Sequence, residues 1–148
     1  MIRSALAATG AAALLFAGAL YAAEFREALE PAVVLHDAPS ASSKKLFVVN
    51  KGYPLEVVVR VDGWVKVRDA EGGFSWAEGK QLGPAAHVLA RRDGTSIRQQ
   101  PVADAAPVAE VQRGVMLEVT AAPQSGWVAV KHRDGAAGYL RVTDVWGL

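Results

Sequence analysis

Few residues in this chain have the type and spacing that chemistry requires. There is no cysteine, which removes thiol nucleophiles, thiolate zinc sites and disulfides. His36, His87 and His132 lie far apart in the chain, with no i, i+4 pair and no helix to align one, so no compact metal motif is present. Solvated or hydrogen-bonded histidines are expected, with no metal and no cofactor. Asp62, Asp69, Glu71, Asp93 and Asp134 each stand beside glycine or alanine. Such residues favour turns by bonding their own backbone, which sets them apart from paired acid–base catalysts. Neither a Gly-x-Ser-x-Gly elbow nor a Ser-x-x-Lys placed on a helix occurs, and the glycines form no phosphate-cradling turn at the start of a helix. Ser40, Ser42 and Ser43 with Lys44-Lys45 make a polar loop, and Arg91-Arg92 a second basic point. Both suit solvated surface, with contact to an anionic ligand as the alternative. The residue set does not describe an enzyme.

What remains is the chemistry of aromatic surfaces. Trp64 and Trp127 each follow a turn glycine, Trp76 and Tyr139 fall late in their segments, and Tyr53 sits beside Pro54. A large ring at such a place either covers one end of a small core or lies half in a groove with its polar tip free to donate. These five are the candidate ligand-binding residues, and the choice between groove and core stays open. Trp146, near the C-terminus, is expected to anchor the final strand.

The whole chain has 148 residues, 51% of them hydrophobic, and 16 basic against 15 acidic side chains. That much apolar content excludes a disordered chain. The charge balance excludes the basic excess of a nucleic-acid binder. Arg3 is followed by an uncharged run from Ser4 to Ala23, rich in Ala, Leu and Gly and most apolar at Leu14-Leu15-Phe16. A basic start, an apolar middle and a small-residue exit read as a secretory signal over residues 1–23, with cleavage after Ala22 or Ala23, or after Ala19. The alternative is an uncleaved anchor, for which the alanine and glycine content is weakly apolar. Cleavage removes Arg3 and leaves 15 basic against 15 acidic groups.

An internal repeat organises the rest. A shift of 62 residues places Pro39 on Pro101, Gly52 on Gly114 and Leu55-Glu56-Val57 on Leu117-Glu118-Val119. One residue more places Gly63-Trp64-Val65 on Gly126-Trp127-Val128, Gly72 on Gly135 and Trp76 on Tyr139. A one-residue slip is what a hairpin turn absorbs. The two copies span about residues 28–83 and 87–146, joined near Gly83-Pro84, so the chain divides into 1–23, 24–83 and 84–148.

Each copy has the period of strands. Leu55, Val57, Val59 and Val61 alternate with Glu56, Val58 and Arg60, and Val65 and Val67 with Lys66 and Arg68, giving one apolar and one largely wet face. Asp62-Gly63, Ser125-Gly126 and Asp134-Gly135 mark the turns. The pattern predicts strands near 32–36, 46–50, 54–61, 64–69 and 73–77, and again near 95–98, 108–112, 116–121, 127–132 and 136–141. Units this small sit near the lower limit for a self-sufficient core, and a closed or nearly closed barrel suits them because it leaves few open edges. The copies could also pack together over Ala85, Ala86 and Val88.

In order along each copy, these stations resemble the bacterial SH3 (SH3b) domain. The first copy carries Val34-Leu35-His36-Asp37-Ala38-Pro39, Asn50-Lys51-Gly52, Gly63-Trp64-Val65-Lys66-Val67 and Gly73-Phe74-Ser75-Trp76. The second carries Ser96-Ile97-Arg98-Gln99-Gln100-Pro101, Gln112-Arg113-Gly114, Gly126-Trp127-Val128-Ala129-Val130 and Gly138-Tyr139-Leu140. The resemblance implies an all-β protein of two tandem five-stranded SH3-like barrels. It further implies an exported, non-catalytic binding module, periplasmic or secreted, whose partner is a cell-wall peptide or an envelope protein. A structural or regulatory accessory to an exported enzyme is the second reading. His36-Asp37 and Arg98-Gln99 stand where further groove aromatics could sit, so the groove is thin for reading proline-rich peptides.

Overall fold

The structure is a computed structural model and describes residues 22–148. The leader proposed for residues 1–23 therefore falls almost wholly outside the described residues. Among the described residues, no helix is long and apolar enough to cross a membrane.

The first unit consists of β1 (Phe25–Ala28), β2 (Val33–His36), β3 (Lys45–Val49), β4 (Pro54–Val61), β5 (Trp64–Arg68), β6 (Phe74–Glu78), the 3-10 turn η1 (Gly79–Gln81) and β7 (Leu82–Pro84). The second repeats it with β8 (His87–Ala90), β9 (Thr95–Arg98), β10 (Pro107–Val111), β11 (Met116–Gln124), β12 (Trp127–Lys131), β13 (Ala137–Arg141), η2 (Val142–Asp144) and β14 (Val145–Trp146). Strand order is the same in both: β3-β2-β6-β5-β4-β1-β7 and β10-β9-β13-β12-β11-β8-β14.

The expectation of five-stranded barrels, closed or nearly closed, is corrected in strand number and on full closure. Each sheet has seven strands, and its outermost strands are not hydrogen-bonded to each other, so neither sheet closes. Of the additional strands, β7 and β14 have three and two residues, too short to display alternation, and β1 (Phe25–Ala28) and β8 (His87–Ala90) do not alternate. β8 also lies in the segment that reads as an apolar linker.

Each sheet nevertheless wraps one core. Ala28, Val33, Leu35, Leu55, Val67 and Ala77 form the first, and Val88, Ala90, Ile97, Leu117, Val130 and Leu140 the second. The turns are of the expected chemistry. Asp62 and Gly63 have φ of 47° and 82°, and Ser125 and Gly126 of 50° and 83°, the paired positive values of a two-residue hairpin. Asp69 Oδ1 accepts from the Glu71 and Gly73 amides, and Asp134 Oδ1 from the Ala136 amide.

The units do pack on each other, but not by burying the linker side chains together. Val88 is buried in the second core and Ala86 is exposed. Because side chains alternate along β8, Val88 and Ala90 face that core while His87 and Leu89 face away from it; Leu89 is buried outside either core. Trp146 meets Phe25 edge-on at 5.0 Å and its Nε1 donates to the Pro54 carbonyl at 3.4 Å. It anchors the last strand, as its position predicts, and it does so on the other unit. Glu27 of β1, largely buried, accepts from the Ala86 amide at 2.8 Å, the His87 amide at 3.1 Å and His87 Nδ1 at 2.9 Å.

Candidate binding face

Alternation along β5 sends Val65 and Val67 inward and Trp64, Lys66 and Arg68 outward; along β6 it sends Ser75 and Ala77 inward and Phe74, Trp76 and Glu78 outward. Antiparallel register then sets Trp64 opposite Glu78, Lys66 opposite Trp76 and Arg68 opposite Phe74, with His36 of β2 on the far side of Trp76. This places Trp64 and Trp76 on the outer face of one sheet, both half-buried and neither part of the core.

The Trp64 ring is held edge-on to the His36 ring at 5.3 Å. His36 is covered by this contact, and its Nδ1 lies 3.4 Å from both the Ser43 carbonyl and the Ser43 hydroxyl. On one side Trp64 lines a cleft of about 280 Å3 with Arg26, Arg60 and Leu82. On the other it lines a wider one of about 620 Å3 with Pro39, Ser40, Glu78 and Lys80. Lys80 Nζ meets Glu78 Oε2 at 2.9 Å, and that carboxylate holds the ammonium above its usual range. The face thus offers an indole platform bordered by a proline, a serine-rich loop and one ion pair, suited to a polar ligand with an apolar side.

In the second unit the same register sets Trp127 opposite Arg141 and Ala129 opposite Tyr139, with Arg98 beyond Tyr139. Trp127 and Tyr139 are half-buried too. The Arg141 guanidinium stacks on Trp127 at 4.8 Å, a cation–π contact. Arg98 and Arg141 line a cleft of about 320 Å3 together with Trp127, and Arg92, paired with Asp144, completes its rim.

Tyr53 is not brought to either face. It packs against the first core and lines two clefts at the junction of the units. Burial pushes its phenol pKa up, with Asp69 and Glu71 adding in the same direction. Sequence reasoning singled out neither Glu78 nor Arg141, whose part follows only from pairing across β5–β6 and β12–β13. Among the described residues no group of three or more His, Asp or Glu side chains is placed to hold a metal ion.

The architecture is a tandem pair of small, strongly wrapped antiparallel sheets. The family model for the bacterial SH3 domain matches residues 30–83 and 92–147, most of the chain. The chain belongs to the bacterial SH3 domain family, as two tandem repeats. Curated proteins give no match. Solved structures similar to it include NlpC2 from Trichomonas vaginalis, at 12% identity and a TM-score of 0.39 over 84% of this chain and 48% of that one. NlpC1 from the same organism gives 15% and 0.39, over 92% and 50%. An NlpC/P60 family protein from Bacillus cereus gives 17% and 0.40, over 83% and 56%. The chain spans about half the length of these structures.

Proposed function

We propose that this protein is a non-catalytic, exported binding module that recognises a cell-wall peptide or an envelope protein partner on the outer face carrying Trp64 and Trp76. The observation that carries the reading is the position of Trp64: it stands half-buried between two clefts, outside the core, and so offers a stacking surface that folding does not consume. The corresponding face at Trp127 and Tyr139 supplies a second, more basic platform, so one chain could engage two points of a polymeric target. Export rests on the leader at residues 1–23.

Binding to purified cell wall tests this by sedimentation. Trp64→Ala is expected to weaken retention about tenfold, the loss of one well-placed aromatic contact, with unchanged circular dichroism. Unfolding of the variant would return the ring to the core, and retention equal to that of the wild type would remove the face from the site.

The second reading, an accessory that docks on an exported enzyme, is favoured by one feature. Phe47, Val48 and Phe74 of the first unit are more than half exposed, while Ala109, Glu110 and Ala137 occupy their places in the second. A protein partner captured without wall retention, and lost in Phe47→Ser, would support it.

A further inference from the structure

A cleft of about 720 Å3 lies at the junction, between the β3–β4 turn of the first unit and the end of β12 with its following turn in the second. Lys51, Lys131 and Arg133 line it, together with Tyr53, His87 and His132. Glu118 is the acid in the same lining. None of the three cations has a carboxylate within ion-pair distance among the described residues, although Arg26, Arg60, Arg68, Lys80, Arg92 and Arg113 all do.

The repeat shows what is missing. Lys51 corresponds to Arg113, which crosses the junction to Glu71 at 2.5 Å. The counterpart of Glu71 is Asp134, and Asp134 is committed locally, accepting from the Ala136 amide and meeting His132 Nδ1 at 2.9 Å. The counterpart of Ala70 is Arg133. One side of the junction is therefore bridged by an ion pair between units, while on the other the corresponding acid turns to its own loop and Glu118, opposite Lys131 in the β11–β12 register, is the one acid in the lining against three cations.

The cleft is also held in shape. Gly52, at φ +85°, brings the β3–β4 turn so close to the second unit that a Cβ there would stand 2.9 Å from Met116 Sδ and 3.1 Å from His87 Nδ1. Glu27 fixes His87 from behind through its amide and its Nδ1, and holds the Ala86 amide beside it. Three exposed cations around one cleft raise its positive potential, which favours entry of an anion.

We propose that this cleft is an oxyanion site, taking a carboxylate- or phosphate-bearing ligand between Lys51 of the first unit and Lys131 and Arg133 of the second. The site exists only while the units are docked, because each contributes a cation. Lysine meets the anion as a point charge and arginine through its planar fork. It is independent of the Trp64 face, which lines other clefts.

Calorimetric titration of the whole chain at low ionic strength, with pyrophosphate and with citrate, tests the site. Saturable binding of one anion per chain is expected, weakening as salt is added. Lys51→Glu and Arg133→Glu are each expected to weaken it about tenfold or more, the scale of a lost charge-assisted contact. Lys44→Glu, the same charge change in an exposed loop, should leave it within about twofold, as screening dictates for a distant exposed charge, and Trp64→Ala should leave it unchanged. Tighter pyrophosphate identifies a phosphate-bearing ligand and tighter citrate a carboxylate-bearing one. Saturation by neither anion, or an equal loss in Lys44→Glu, overturns the proposal. Because Trp64→Ala reads the other face, failure here leaves the wall-binding reading standing, and the reverse.

Discussion

The two units are one backbone used twice for different chemistry. Their strand order is identical and most of their inward positions stay apolar, Leu55 answering Leu117 and Val67 answering Val130. Their outward and junction positions do not. Trp64 faces Glu78 while Trp127 faces Arg141; His36 is replaced by Arg98; Glu27 is replaced by Leu89. Inward residues are constrained by close packing, in which one methylene matters. Outward residues are constrained only by what they bind, so a duplicated unit is free to diverge there, and its divergence marks where function is located.

Among the inward exceptions, which include buried Thr95 in the place of Val33, one tests the pattern most severely. Ser75 in the first unit corresponds to Gly138 in the second, where a Cβ would collide with the Arg98 carbonyl oxygen. Gly138→Ala is therefore expected to destabilise the second unit by about 3 kcal/mol, the upper range for forcing atoms into a packed interior. Ser75 has the room, but its buried hydroxyl has no partner among the described residues. Ser75→Ala is expected to stabilise the first unit by about 1 kcal/mol, the desolvation relieved when an unanswered polar atom is removed. Urea unfolding of both variants reads the opposite signs, and equal signs would mean that the two backbones are less alike than their strand order implies.

A smaller effect concerns the junction. Replacing Glu27 by Ala leaves two amides and an imidazole nitrogen without their acceptor, a cost of about 2 kcal/mol for buried polar groups. The expected outcome is a lower urea midpoint with both cores retained, and a larger radius of gyration by small-angle scattering as the units loosen. Compactness unchanged from the wild type would assign their docking to the other contacts across the junction, Trp146 on Phe25 and Pro54 and Arg113 on Glu71.

The smallest effect is in acid. Hydrogen bonds from Arg60 and then Arg26 hold the Glu24 carboxyl below its ordinary 4.5. A carboxyl whose folded pKa is depressed contributes stability above its unfolded pKa, and the contribution is lost as pH falls through the lower folded value. Glu24→Gln should therefore flatten the stability profile of the first unit below about pH 4.5, the ordinary value of this carboxyl. Ala86, the counterpart of Glu24 in the second unit, carries no charge. The pair is solvent-exposed, so the change is slight and largest at low salt. Thermal melts from pH 3 to 7 measure it.

Ten of the fourteen strands were legible from alternation in β4 and β5, from the Gly-bearing turns that bound the others, and from the repeat that carries the pattern into the second unit. β1, β7, β8 and β14 were not, since they are short pieces that become strands only by pairing with β4, β11 and one another. The candidate aromatics divide in the same way. Trp64, Trp76, Trp127 and Tyr139 were recognisable from the repeat, and the sheets set them on outer faces. Tyr53 was grouped with them by residue type, yet it belongs to the junction.

By itself the sequence determined the tandem organisation, the hairpins and the two apolar cores, because turn chemistry and period-two burial are written within a few consecutive residues. Only the tertiary structure decided that Arg141 covers Trp127, that Glu27 clasps a backbone 60 residues away, and that Lys51 meets Lys131 and Arg133 across a gap. Those encounters depend on strand register and on how one unit lies against the other, and neither leaves a trace in the order of neighbouring residues.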